Sequence, residues 1–333
     1  MSDGPLDVVG IGNAIVDVLS HADDEFLVRE GLVKGSMALI DTSRAETLYQ
    51  LMGPGIEVSG GSAANTIAGV AGFGGKAGFV GRTRDDQLGA VFAHDLRSLG
   101  VEFDVPPAAD GPPTGRCLIL VTPDAQRTLN TYLGAGGDLG PDDVDASMVA
   151  RTQITYLEGY LWDPPAAKEA FRKASDIAHA SGRKIAFSLS DSFCVDRWRE
   201  EFIQLAEHEI DVLFANEDEI KSLYQTASFD DALQHVRGHC EIVALTRSDK
   251  GSVVVSGDEV HVIDAEPAKL VVDTTGAGDL YAAGFLFGLS RGLDLYVCGQ
   301  LGSIAASEVI SHMGARPEMS LAELARDTLN AVI

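Results

Sequence analysis

Short apolar, β-branched runs alternate along the chain with longer segments whose apolar residues recur at spacings of three and four. The runs predict strands at Asp7 to Ile11, Ala77 to Gly81, Ile154 to Leu157, Lys184 to Ser188, Val212 to Ala215 and Ile242 to Thr246. The periodic segments predict helices at Ala63 to Gly72, Asp86 to Leu99, Pro165 to Ser181, Val195 to Glu209, Glu217 to Tyr224 and Phe229 to Arg237. Strands that are apolar throughout must be covered on both faces. The alternation therefore predicts a doubly wound, mainly parallel α/β sheet with helices on both sides.

Two stretches break the rhythm. Ser36 to Asp41 and Gly115 to Tyr132 read as short strands joined by turns without an intervening helix, and they can pair with each other. Excursions at about 13–41 and 113–135 are expected to form a small β-sheet, either a lid over the main body or an extension of its edge. No internal repeat or linker divides the sequence, so residues 1–333 are expected to fold as one domain.

Composition narrows the classes of function. No apolar run reaches the roughly 18 residues needed to span a bilayer, and no basic region precedes the short apolar stretch near the N-terminus. Cys117, Cys194, Cys240 and Cys298 are scattered, without C-x-x-C pairing or nearby histidine at metal-ligand spacing. These features suit reduced thiols in a cytoplasmic protein that binds no membrane. A formal net charge of -25 argues against nucleic acid as a partner, because such binding depends on Lys and Arg displacing phosphate counterions. A nucleotide remains compatible, since a nest of backbone amides holds phosphate whatever the global charge.

The richest chemistry lies in Val271 to Phe287, VVDTTGAGDLYAAGFLF. A β-branched run ends in Asp273-Thr274-Thr275, a Gly276-Ala277-Gly278 turn follows, and a helical pattern begins at Asp279. The glycines permit close approach of a ligand, and amides at a helix start make an anion site. A carboxylate beside bound phosphate repels it. Asp279 therefore reads either as a plain helix cap or as the acceptor of a proton from an attacking hydroxyl.

DTTGAGD followed by LYAAGF resembles the C-terminal signature of the ribokinase-like (PfkB) carbohydrate kinases. Gly60 to Gly75, GGSAANTIAGVAGFGG, continuing into FVGRTRDDQLG, is similar to that family's N-terminal signature. GIGNAIVDV resembles its first strand with the substrate aspartate, and NEDEI at 216–220 its N-x-x-E element. These elements span nearly the whole chain in the family's order. The resemblance implies an ATP- and Mg2+-dependent kinase acting on a hydroxymethyl group of a small molecule, as a monomer or homodimer. It implies Asp279 as general base, with the amides of Gly276, Ala277 and Gly278 as the hole for the transferring phosphoryl group. Asn13, Asp17, Gly61 and Asn65 would bind sugar hydroxyls, and Gly60-Gly61 would hinge the lid. Asn216, Thr246 and Gly251 would bind ATP, with Glu219 organising Mg2+ through water. A monovalent cation such as K+ would be held by Asp273, Thr275, Val309 and Gly314.

Within the family, GIGNAIVDV, GGSAANT and the aromatic segment Tyr156 to Trp162 look more like the adenosine kinase branch than the ribokinase or fructokinase branches. A purine slot would then be formed by Met37 and Leu39 with Tyr160 or Trp162, as an alternative to ordinary core packing. A free ribose or fructose, or another nucleoside such as inosine or guanosine, remains the competing acceptor. The sequence also departs from the family's T-x-G-x-x-G nucleotide loop, since Thr246 to Gly251 reads TRSDKG with Ser248 at the middle glycine.

Other classes fit less well. Gly10-Ile11-Gly12 follows a strand, but the dinucleotide fingerprint needs a small residue where Ile15 stands. No G-x-x-x-x-G-K-[ST] loop exists. Gly288-Leu289-Ser290-Arg291-Gly292 matches a nucleophile elbow formally, yet it falls at the end of a helix rather than between strand and helix. A non-catalytic binding protein on the same fold would be expected to have lost the base or the anion hole.

Overall fold

In the computed structural model, which describes residues 4–124 and 126–329, the chain opens with β1 (Leu6–Ile11) and β2 (Ile15–His21). It continues through α1 (Asp24–Arg29), β3 (Met37–Leu39), α2 (Thr42–Leu51), β4 (Gly55–Gly60), α3 (Ser62–Gly72), β5 (Ala77–Val80) and α4 (Gln87–Ser98). The hairpin β6 (Gly115–Val121) and β7 (Arg127–Tyr132) follows. Then come α5 (Ala146–Arg151), β8 (Thr152–Glu158), α6 (Pro165–Ala180), β9 (Lys184–Ser188), α7 (Ser192–His208) and β10 (Val212–Asn216). The remainder is α8 (Glu217–Leu223), α9 (Phe229–Val236), β11 (Ile242–Thr246), β12 (Ser252–Ser256), β13 (Glu259–Ile263), α10 (Ala277–Ser290), α11 (Leu295–Val309) and α12 (Leu321–Leu329).

The main sheet runs β13-β12-β11-β10-β9-β8-β1-β5 and is parallel from β11 to β5, with the β12–β13 hairpin added antiparallel. As the apolar runs predict, helices cover both faces. One core packs the sheet against α5 to α9, with Phe171, Phe187 and Phe202 at its centre. The other packs it against α3, α4, α10 and α11, around Phe79, Phe285 and Leu301. Chain order reverses between β1 and β8. In open parallel sheets ligands bind outside the carboxyl ends of the strands at such a point.

The second sheet runs β3-β7-β6-β2-β4, and Met37 pairs with Leu129 as the two excursions suggested. Its first excursion is longer than the sequence pattern showed. It reaches β4, and it contains α1 and α2 where no helix was expected. Those helices carry a weak periodic signal, because α1 is 6 residues long and α2 fully buries only Ala45 and Leu48. The strands alternate cleanly. Val18, Leu118 and Leu120 point outward beneath α1 and α2 with Leu27 and Leu48, while Ile15, Cys117 and Ile119 form the opposite face.

Trp162 corrects an expectation. It does not reach the substrate slot but sits 1% exposed in the core, edge-on to Phe171 at 4.8 Å, with Nε1 donating to Glu201 at 2.8 Å. Its short helical turn, Gly159–Trp162, directs Tyr160 and Trp162 to different environments. Trp162→Ala is expected to cost about 3–5 kcal/mol of stability without changing KM below its melting range. Denaturant unfolding and steady-state kinetics check this, and an altered KM at unchanged stability would return Trp162 to the site.

Candidate active site

A cleft of about 350 Å³ lies between the carboxyl edge of the main sheet and the inner face of the small sheet. Its floor comes from strand ends: Asn13 after β1, Glu158 at the end of β8, Ser188 at β9, Asn216 at β10 and Thr246 at β11. Its roof is the alternating inward set Ile15, Met37, Leu39, Cys117, Ile119 and Leu129.

At the β1–β8 switch point a buried carboxylate organises the backbone. Glu158 Oε1 accepts the Asn13 amide N–H at 2.7 Å and Asn13 Nδ2 at 2.8 Å, while Oε2 accepts Ala63 N–H at 2.6 Å. Glu158 thereby joins the end of β1 to the first turn of α3. Burial pushes its carboxyl up to about 7, against these hydrogen bonds. Gly61 caps α3 at φ 88, and a Cβ there would strike the Asn13 carbonyl. Both facts require glycine at this close crossing of chains.

Asp17 stands on β2 beside Ile15 and faces the cleft. Burial pushes its carboxyl up to about 7, with Arg316 and Arg127 pulling the other way. Asp279 lies in the first turn of α10. Its Oδ1 accepts from Ser62 Oγ at 2.6 Å and its Oδ2 from Asn65 Nδ2 at 3.0 Å, while Asn65 Oδ1 accepts from Arg316 Nε at 2.8 Å. Burial raises the Asp279 carboxyl above the usual range, and Ser62, Asn65 and Arg316 oppose that rise. The alternative of a plain helix cap is excluded by this geometry, because the cap is Gly276 at φ 80 and the Asp279 carboxylate points across to α3.

Thr274, Thr275, Gly276, Ala277 and Gly278 line the same cleft on the side of Asn216 and Thr246. The α10 start has no side-chain cap. It therefore offers first-turn amides and the positive dipole end to an anion. Asn216 caps α8, accepting from the Asp218 and Glu219 amides at 2.9 Å, and Glu219 returns the contact by accepting the Asn216 amide at 2.9 Å. Burial pushes the Glu219 carboxyl up to about 7. Gly251 lies outside the cleft lining. It shapes the loop at φ 79, donating its N–H to the Ser248 carbonyl at 3.1 Å. Ser248, the departure from the family loop, adopts φ 56, so the left-handed turn survives without glycine.

Tyr160, Met37 and Leu39 line the cleft as expected, with Tyr160 Oη donating to the Ser190 carbonyl at 3.2 Å. Val309 is buried in α11, and Gly314 lies outside the lining and offers Asp273 an amide rather than a carbonyl. Glu158, Ser62, Arg127 and Arg316 were not anticipated. Glu158 stood in view inside the aromatic segment, whereas Arg316 lies 37 residues from Asp279, and no local pattern links the two.

An acceptor-sized cavity with a carboxylate next to a helix-start anion site, at the switch point of a doubly wound sheet under a small second sheet, defines a ribokinase-like phosphotransferase. A family model for pfkB family carbohydrate kinases matches residues 46–321. The chain belongs to that family and is an ATP-dependent kinase acting on a hydroxyl group. It is 52% identical to the adenosine kinase of Sinorhizobium meliloti, with a TM-score of 0.94 over 98% of this chain and 100% of that one. It is 50% identical to a probable sugar kinase of Rhizobium etli CFN 42, with a TM-score of 0.94 over 98% and 99% of the two chains. Over 264 residues, 76% of this chain and 78% of the relative, it is 30% identical to 5-dehydro-2-deoxygluconokinase of Geobacillus thermodenitrificans. No helix among the described residues is long and apolar enough to cross a membrane.

Proposed function

We propose that this kinase phosphorylates the 5′-hydroxymethyl of a purine nucleoside, adenosine first, yielding a nucleoside 5′-monophosphate and ADP. The observation that carries the reading is the two-sided cleft. Polar Asn13 and Asn65 stand opposite a roof of Ile15, Met37, Leu39, Ile119 and Leu129 that is apolar except for Asp17, which β2 presents beside Ile15. A sugar with an attached aromatic base matches such a wall and roof, whereas a free polyol would leave the roof uncovered. The 52% identity to an adenosine kinase supports it.

A gluconate acceptor, which the name of the Geobacillus relative brings to mind, fits less well. Asp17, Glu158, Asp163, Glu219 and Asp279 all line the cleft, and no Lys or Arg is among its lining residues. A carboxylate on the acceptor would find no Lys or Arg side chain on the cleft wall to pair with, since Arg127 and Arg316 lie behind it and are engaged with Asp273, Thr275 and Asn65.

In the proposed reaction Asp17 and Asn13 hold the ribose hydroxyls, and Asn65 fixes the orientation of Asp279. Asp279 takes the proton of the 5′-hydroxyl as its oxygen bonds the γ-phosphorus, and the bond from that phosphorus to the ADP oxygen breaks. The amides of Gly276, Ala277 and Gly278 receive the charge that develops on the transferring group. Thr246 and Asn216 face the nucleotide. Among the described residues no three His, Cys, Asp or Glu side chains cluster as a metal cage. Asn216 and Glu219 would hold Mg2+ through its waters, where it would neutralise phosphate charge. The small sheet acts as the lid that excludes water from the transfer.

Phosphorus NMR of the product made from adenosine, ATP and Mg2+ tests the reading. The expected spectrum is that of a 5′-phosphate monoester with ADP. An ester at another hydroxyl, or ATP turnover without one, would contradict it.

A further inference from the structure

The monovalent cation that the family resemblance implies beside the anion loop does not fit the groups gathered there. Asp273 Oδ1 accepts the Thr275 amide at 3.0 Å, and Oδ2 accepts the Gly314 amide at 2.9 Å. The Gly314 amide thus occupies Asp273 Oδ2, an oxygen that a cation would need. The Ile310 carbonyl at the end of α11 already accepts Val272 N–H at 2.8 Å and Asp273 N–H at 3.3 Å. Arg127 Nη2 stands against Asp273 Oδ2 as an ion pair without hydrogen-bond geometry, and Arg127 Nη1 donates to Thr275 Oγ1 at 2.7 Å. The Asp273 side chain is 1% exposed and that of Arg127 9%, so neither is a loose surface pair.

We propose that the Arg127 guanidinium takes the place of the monovalent cation, so that the enzyme carries its own fixed positive charge beside the anion loop and is indifferent to K+. Guanidinium remains charged at any working pH, and its planar fork spans a carboxylate and a hydroxyl together. An added K+ against the same Oδ2 would meet a like charge in a poorly screened site. The replacement has a consequence that a free ion would not have. Arg127 begins β7 in the small sheet, whereas Asp273 and Thr275 precede α10. The charge therefore arrives at the loop with the lid, and one contact couples lid position to the loop that holds phosphate.

The test exchanges KCl for tetramethylammonium chloride at constant ionic strength and follows ATP consumption with whichever acceptor proves active, which makes it independent of the adenosine reading. The parent enzyme is expected to change kcat/KM by less than about twofold, while Arg127→Met is slower and regains about tenfold or more with K+. Thallium(I), soaked into crystals of both proteins, gives a readout apart from activity. An anomalous peak against Asp273 is expected in Arg127→Met and none in the parent. K+ activation of the parent, a thallium peak at its Asp273, or an Arg127→Met enzyme indifferent to K+ would overturn the proposal. Should Arg127→Met fail to fold, the parent's salt response and thallium map decide the question alone.

Discussion

Replacing Asp279 with Asn is expected to lower kcat by roughly 100-fold or more while ATP affinity stays within a few-fold, since positioned bases typically contribute a factor of about 100 to 10,000. Asn is nearly isosteric and can still accept from Ser62 at the Oδ1 position. At Oδ2, however, Asn65 Nδ2 would meet a second amide donor or force a rotation. The variant therefore loses the proton acceptor and disturbs its orienting partner, without touching Thr246 or Asn216 on the nucleotide side. The pH profile carries the same signature. Because burial raises the Asp279 carboxyl, parent turnover falls as pH drops through that raised value, as the base becomes protonated. A variant turning over at the parent's rate would remove Asp279 from the chemistry.

The second large effect is expected at Asp17. Asp17→Asn should raise KM for the acceptor by roughly 100-fold with a smaller change in kcat, because hydrogen bonds to a charged acceptor are worth about 1.5–3 kcal/mol each. The same change is expected to stabilise the substrate-free protein above neutral pH. The folded-state value near 7 lies above that of the unfolded chain, so the folded form binds a proton that the unfolded form releases. The associated stability is present at acidic pH and is lost as pH rises through about 7. Asn never ionises, so its advantage over the parent should grow from pH 5 to pH 8, a trend that paired thermal melts measure. A parent-like KM, or an advantage that shrinks with pH, would contradict a substrate-holding carboxylate kept in a costly position.

Local pattern revealed most of the main body because each strand and helix there carries its own periodic signal. The predicted Lys184 to Ser188 and Ile242 to Thr246 strands match the observed β9 and β11 to the residue. The small sheet was half legible. β6 and β7 form a local hairpin, whereas β2 and β4 pair across α1, β3 and α2, and β2 continues from β1 with only three residues between them. At the site, DTTGAGD placed Asp279 because two glycines and a helix start lie within seven residues, although the β-branched run before them forms no strand. The groups that hold Asp279 came from distant segments. Ser62 and Asn65 approach from α3, and Arg316 from the chain beyond α11. Trp162 was misplaced for a related reason, since an aromatic near a site motif looks the same in sequence whether it faces a ligand or the core.

The most direct measurement of the central claim is the set of kcat/KM values, with ATP and Mg2+, for adenosine, inosine, guanosine, ribose, fructose and 5-dehydro-2-deoxygluconate. The largely apolar roof should favour adenosine, with every free sugar and the gluconate at least about tenfold poorer, because the buried base contributes binding that they lack. A free sugar or the gluconate exceeding every nucleoside by tenfold would contradict the nucleoside assignment.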